Sequence, residues 1–249
     1  MKINDGYGTI SDQIFSVLMI GQSNMAGRGE FADVPKIKNQ NCFMLRCGRW
    51  QIMREPVNPD RYMFLDEGKF HSGTSLAAAF ADEYAKCEDV KVGLIPCADG
   101  GTHLNAWMPG TILFDHAVMM TKLAMRTSTL SAIIWHQGEA DAQHDEDVAT
   151  YKERFITMIS AMRKELGDVP VIIGEISTKT IPKYKIGERA KKLNEVFAQI
   201  AEELPSCALA SEEGLTMKPD GIHFDAPSLR IFGKRYYEKF CEIRKRENK

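Results

Sequence analysis

The sequence predicts an α/β fold, a three-layer α/β/α sandwich around a mostly parallel sheet, in one domain spanning residues 1–249. Three observations carry this expectation. Short apolar runs recur at 15–20, 91–96, 131–135, 171–176 and 207–210, continuous in the way of strands buried on both faces. Between them, apolar residues fall at helical spacing: Leu76, Ala79, Phe80 and Tyr84, then Val148, Tyr151, Phe155, Met158, Met162 and Leu166. No Gly/Ser linker, repeat or change of composition divides the chain. Strands alternating with helices imply parallel pairing, with helices on both faces of the sheet.

Taken in order, the first strand is 15–20, closed by Gly21. Residues 26–72 are irregular, punctuated by Pro35, Pro56 and Pro59, with short strands expected at 42–45 and 50–53. Gly73-Thr74-Ser75 opens a helix over 76–86. A loop over 97–110 follows the 91–96 strand, and a helix is expected over 113–127. Gly167 stops the helix that ends at Leu166, and Pro205 lies just beyond a helix carried by Leu193, Val196, Phe197 and Ile200. Asp225 can cap a last helix with Pro227 in its first turn.

Composition narrows the function. With 44% hydrophobic and 27% charged residues and a formal net charge of −2, the chain has no electrostatic footprint for nucleic acid. Arg244-Lys245-Arg246 reads as the dipole-favoured end of the last helix. The start of the chain, with Asp5 and Asp12 before a seven-residue apolar run, is expected to be neither a signal peptide nor a membrane span. The six cysteines are scattered without CxxC or paired histidines, so neither a metal nor a cofactor is expected. Free thiols point to a reducing compartment, the cytoplasm. Oligomeric state has no signature in the sequence.

Chemistry-bearing residues gather at strand ends. Ser23 follows the first strand, Gly100-Gly101 the 91–96 strand and Gln137 the 131–135 strand, and Asp220-Gly221-Ile222-His223 precedes the last helix. In an open parallel sheet such ends converge on one crevice. A serine hydroxyl needs a base, and His223 can serve, with Asp220 three residues earlier able to accept the other ring N–H. The backbone N–H groups of Ser23 and Gly101 and the Gln137 side-chain amide are candidate donors to a developing oxyanion. Each piece also has a plain structural reading: a serine or aspartate capping a turn, an ordinary Gly-Gly turn.

Other chemistries fit less well. Met25 stands where G-x-S-x-G needs its second glycine, and no G-x-x-x-x-G-K-[ST] is present. Glu139 and Asp141, two apart, do not converge on one glycosidic bond and instead order the loop around Gln137. His136 and His103 are expected on solvent-facing loops near the crevice, and Trp107 is either a platform for a sugar ring or a packed aromatic.

Four blocks, in order, carry a resemblance. They are Gly21-Gln22-Ser23-Asn24-Met25, then Gly100-Gly101-Thr102 with Trp107, then Trp135-His136-Gln137-Gly138-Glu139-Ala140-Asp141, then Asp220-Gly221-Ile222-His223. The chain resembles the SGNH (GDSL-like) hydrolase superfamily, and within it the carbohydrate acetylesterases, including acetylxylan esterases and sialate O-acetylesterases. The resemblance implies a flavodoxin-like sheet and a metal-free serine esterase. Ser23 would be the nucleophile, His223 the base and Asp220 its acidic partner, with oxyanion donors on Ser23, Gly101 and Gln137. The superfamily commonly has asparagine where this chain has Gln137, as the acetylesterase group does. Gln22, Asn24, Thr102, Trp107 and Glu139 are the expected substrate-binding residues. The expected partner is an acetylated carbohydrate, xylan-derived or an O-acetyl sialic acid; a non-catalytic glycan-binding protein and a lipid esterase or thioesterase are the alternatives. Residues 26–72, outside the four blocks, are expected to select the sugar.

Overall fold

A computed structural model describes residues 13–59, 71–179 and 186–247. Among them, seven strands form one sheet: β1 (Ile14–Gly21), β2 (Cys42–Arg46), β3 (Arg49–Ile52), β4 (Lys91–Pro96), β5 (Ser128–His136), β6 (Val171–Gly174) and β7 (Cys207–Ala210). Their order is β3-β2-β4-β1-β5-β6-β7. All pairings are parallel except the β2–β3 hairpin at one edge. The short helix α1 (Ser23–Ala26) follows β1, and five longer helices follow: α2 (Leu76–Glu88), α3 (Ile112–Ala124), α4 (Asp145–Leu166), α5 (Gly187–Glu203) and α6 (Ala226–Glu247).

Strand alternation sorts β1 between two cores. Val17 and Met19 pack with Phe80 and Tyr84 of α2 and with Phe232, Tyr236 and Phe240 of α6. Leu18 and Ile20 pack on the other face with α3, α4 and α5, through Phe114, Tyr151, Phe155 and Phe197. Burying each such aromatic side chain stabilises the fold by roughly 1.5–3 kcal/mol. The expected three-layer sandwich is therefore present.

The helix ends follow their sequence signals. The Ser75 hydroxyl accepts from Ala77 N–H and caps α2, while donating to the Met25 carbonyl, which ties α2 to α1. Asp225 accepts from Ser228 N–H at the start of α6. Asp145, Glu146 and Asp147 open α4 and Arg163 and Lys164 close it, matching its dipole. Strand β5 begins at Ser128, three residues before the expected start. Its first residues pair with Ile14–Ser16 across a register shift, which no apolar run marks. Strand β6 ends at Gly174 rather than residue 176.

No described helix is long and apolar enough to cross a membrane. Residues 1–12, on which the reading of the amino terminus rests, and 60–70, within the expected sugar-selecting segment, lie outside the described residues.

Candidate active site

Strand β1 is central and the chain leaves it toward both sheet edges, so its carboxyl end opens onto the crevice where such sheets bind ligands. Gly21 ends β1 at φ 128°, and a Cβ there would lie 2.1 Å from the His136 carbonyl oxygen. Only glycine lets β1 and β5 stay this close at the turn. Gln22 N–H bonds that same carbonyl, and Ser23 starts α1 immediately afterwards.

Across the crevice, the turn before α6 carries His223. Its Nε2 lies 2.9 Å from Ser23 Oγ and its Nδ1 lies 2.9 Å from Asp220 Oδ2. Asp220 Oδ1 accepts from the backbone N–H groups of Ile222 and His223, both at 3.0 Å. Burial alone would raise the Asp220 carboxyl, but these two N–H groups and the His223 ring hold it below the usual carboxylate range. An ionised Asp220 accepts the Nδ1 proton, leaving the Nε2 lone pair to accept from the Ser23 hydroxyl. This is the arrangement by which a serine is made nucleophilic.

Facing Ser23 is the loop after β4. A Cβ on Gly100 would stand 3.5 Å from Ser23 Cβ and 2.8 Å from Arg28 Nη2, so a bare backbone there allows the close approach. Gly101 has φ 74°. Neither Ser23 N–H nor Gly101 N–H donates to any acceptor among the described residues. Both can therefore serve an oxyanion.

Gln137 departs from expectation. Its side chain is fully buried, with Oε1 accepting from Tyr151 Oη and Nε2 donating to Thr102 O at 3.0 Å and Asp141 Oδ2 at 2.6 Å. Both amide hydrogens are committed, so in this arrangement Gln137 offers none to an oxyanion. It fastens the Gly100–Thr102 loop from behind. Asp141, also fully buried, accepts from Leu104 N–H and pairs with Arg154 at 3.0 Å, extending the same anchor.

The five expected substrate-binding side chains are all engaged with protein partners; Thr102, 9% exposed, is as open as Ser23 at 7%, whereas Gln22, Asn24, Trp107 and Glu139 are 3% exposed or less. Gln22 Oε1 accepts from Ala140 N–H at 3.3 Å. Asn24 bonds Glu139 and the backbone on both sides of His223. The Thr102 hydroxyl donates to Asp99 O and accepts from Trp107 Nε1. Trp107 is 0% exposed and meets Trp135 edge-on at 5.5 Å, so its face cannot carry a sugar ring. Glu139 is buried against His136, which is itself fully buried rather than solvent-facing.

Two residues escaped the sequence reading. Asn58 grips Ala98 twice, Oδ1 accepting from its N–H and Nδ2 donating to its carbonyl, and so fixes the start of the Gly100 loop. Arg28, half-buried, bonds Gly27 O and places its guanidinium beside Gly100. Neither stands in a spacing that marks it. His103, Asp141 and Asp147 bring possible metal-ligating atoms within 4.8 Å of one another. The Arg154 guanidinium lies 3.0 Å from Asp141 and 3.6 Å from Asp147, so a cation already matches this acidic pair.

Comparison with known proteins agrees with this geometry. The family described as carbohydrate esterase, sialic acid-specific acetylesterase matches residues 12–242. A probable carbohydrate esterase of Arabidopsis thaliana is 28% identical over 255 residues, covering 92% of each chain. The crystal structure of an Arabidopsis thaliana protein superposes with a TM-score of 0.79 at 24% identity, over 92% of this chain and 98% of that one. NanS superposes with a TM-score of 0.74 at 16% identity, over 94% of this chain and 98% of that one. A carbohydrate acetylesterase from Xanthomonas citri gives 0.67 at 20% identity, over 92% of this chain and 56% of that one. The fold is that of the SGNH-type acylhydrolases, and the chain belongs to the carbohydrate esterase, sialic acid-specific acetylesterase family as a carboxylic ester hydrolase.

Proposed function

We propose that the protein removes O-acetyl groups from sugars through an acetyl-enzyme on Ser23. The observation that carries this reading is the hydrogen-bonded line from Asp220 through His223 to Ser23, 2.9 Å at each step. Ser23 Oγ attacks the acetyl carbonyl as His223 Nε2 takes its proton. The N–H groups of Ser23 and Gly101 hold the oxyanion, each such donor contributing about 3–4 kcal/mol. The sugar C–O oxygen then leaves with the proton from His223. Water attacks the acetyl-serine, His223 takes and returns one proton, and acetate departs.

An O-acetyl sialic acid is our first substrate. The matching family is described as sialic acid-specific, and the Arg28 guanidinium beside Gly100 and Ser23 suits a substrate carboxylate. Acetylated xylo-oligosaccharide, a neutral substrate, is the second, since an acetyl xylan esterase shares the fold. Acetate release from both, by wild type, Ser23→Ala and Arg28→Ala, tests the proposal. Ser23→Ala should lose about 10⁴-fold or more in kcat. Arg28→Ala should raise KM for the sialic ester alone; an equal effect on both sugars would remove the carboxylate assignment. We place the enzyme in the cytoplasm on its six free thiols, to be checked by fractionation of the native organism.

A further inference from the structure

The β5 turn buries two ionisable groups that the chemistry above does not use. His136 and Glu139 are 0% and 2% exposed, with Nε2 and Oε1 3.5 Å apart. His136 Nε2 and Glu139 Oε2 have no hydrogen-bond partner among the described residues.

The surrounding bonds fix where protons can sit. Tyr236 Oη donates its hydrogen to the Trp135 carbonyl at 2.8 Å. It can then only accept from His136 Nδ1, 3.1 Å away, so that nitrogen carries a proton. If Nε2 were bare, its lone pair would face a carboxylate oxygen at a fully buried position. A buried carboxylate needs a counter-charge, and a second proton on His136 supplies one. Burial alone would raise the Glu139 carboxyl, but His136 and Asn24 hold it below the usual carboxylate range. The phenol facing the pair, Tyr236 on α6, is pushed well above its ordinary value by burial and stays neutral. The packing is built around the ring. Phe224 and Phe232 meet it edge-on, and a Cβ on Gly174 would lie 2.7 Å from His136 Nδ1 and 2.0 Å from Tyr236 Oη.

The pair leads to the base. Glu139 Oε1 accepts from Asn24 Nδ2 at 2.5 Å. Asn24 also donates to Ile222 O and accepts from Phe224 N–H, both at 3.1 Å, clasping the backbone on either side of His223. We propose that His136 and Glu139 form a buried imidazolium–carboxylate pair that orients Asn24 and so positions His223 against Ser23. All three are positioning residues, and this inference rests on the role proposed above for Ser23 and His223.

Kinetics on an aryl acetate and ¹⁵N NMR of the histidine rings test it. In wild type, both His136 nitrogens should be protonated at pH 7; a bare Nε2 at pH 7 overturns the charged pair. Glu139→Ala, checked for fold by circular dichroism, should lower kcat about 10–100-fold with KM within about twofold, as a displaced catalytic group does. A folded Glu139→Ala protein with kcat within twofold of wild type overturns the positioning role. Glu139→Gln keeps an acceptor for Asn24, so it should recover most of kcat while His136 becomes neutral at pH 7. A ring still doubly protonated in that variant contradicts the pairing, and this holds even if Glu139→Ala fails to fold. If Ser23→Ala keeps its activity, the nucleophile assignment fails and the charge state of His136 is untouched. If Ser23→Ala is inactive but Glu139→Ala is not impaired, only the positioning inference fails.

Discussion

The two sides of Ser23 are held by one turn in different ways. On the oxyanion side, Gln137 and Asp141 grip the loop through Thr102 O and Leu104 N–H, and Asn58 grips it again at Ala98. On the base side, His223 sits in a four-residue turn whose Asp220 side chain is 36% exposed, and Asn24, Glu139 and His136 reach it from beneath. Gln137 and Asp141 point one way from the end of β5, His136 and Glu139 the other. The oxyanion loop is thus fixed from β5 and from Asn58 by neutral and charged bonds, whereas the base turn is braced from within by Asp220 and by the Lys218 N–H to His223 O bond, and from β5 through Asn24 alone. Damage to the base side should show first in kcat; damage to the oxyanion side should show in stability as well.

The largest expected effect is on the base. His223→Ala should cost about 10⁴-fold in kcat with little change in thermal midpoint. Asp220→Asn should follow at about 10²–10⁴-fold, because the amide cannot stabilise the imidazolium. A loss under tenfold would mean that the partly exposed Asp220 acts only as a turn cap. On the other side, Gln137→Ala should lower kcat and thermal midpoint together. It strips partners from Thr102 O, Asp141 and Tyr151, each buried unsatisfied group costing about 1–3 kcal/mol. A fall in kcat at unchanged stability would instead restore Gln137 as a direct oxyanion donor.

Acid should separate the sides further. The Asp220 carboxyl is held low in the folded state, so its contribution is present above the unfolded carboxylate value and is lost as pH falls through the folded one. The difference in urea midpoint between wild type and Asp220→Asn should therefore be largest near neutrality and vanish in strong acid; a difference that grows on acidification would reverse the assigned shift. The smallest effect belongs to Trp107→Phe. It deletes one indole N–H bond to Thr102 in a buried ring, worth about 1 kcal/mol of stability, and should leave KM within about twofold. A large rise in KM would return Trp107 to the sugar.

The sequence was most legible where the physics is local. Strand-length apolar runs marked β1, β4, β6, β7 and the core of β5, short strands were expected near β2 and β3 without their hairpin pairing, and Ser75 and Asp225 marked their helices. Ser23, Asp220 and His223 were legible together because parallel strand ends share one crevice. What spacing could not reveal was depth. Gln22, Asn24, Trp107, Gln137 and Glu139 belong to the right blocks, yet their side chains are 3% exposed or less and bonded within the protein, since adjacent turn residues diverge once the strand period ends. Asn58 and Arg28 were missed because a side chain gripping backbone 40 residues away, or standing beside a glycine, leaves no pattern along the chain.

Activation of Ser23 by His223 can be read out by phosphonylation with a p-nitrophenyl alkylphosphonate followed by peptide mapping. One label per chain is expected, on Ser23, with labelling lost in His223→Ala. An active protein that takes no label at Ser23, or takes it equally without His223, would contradict it.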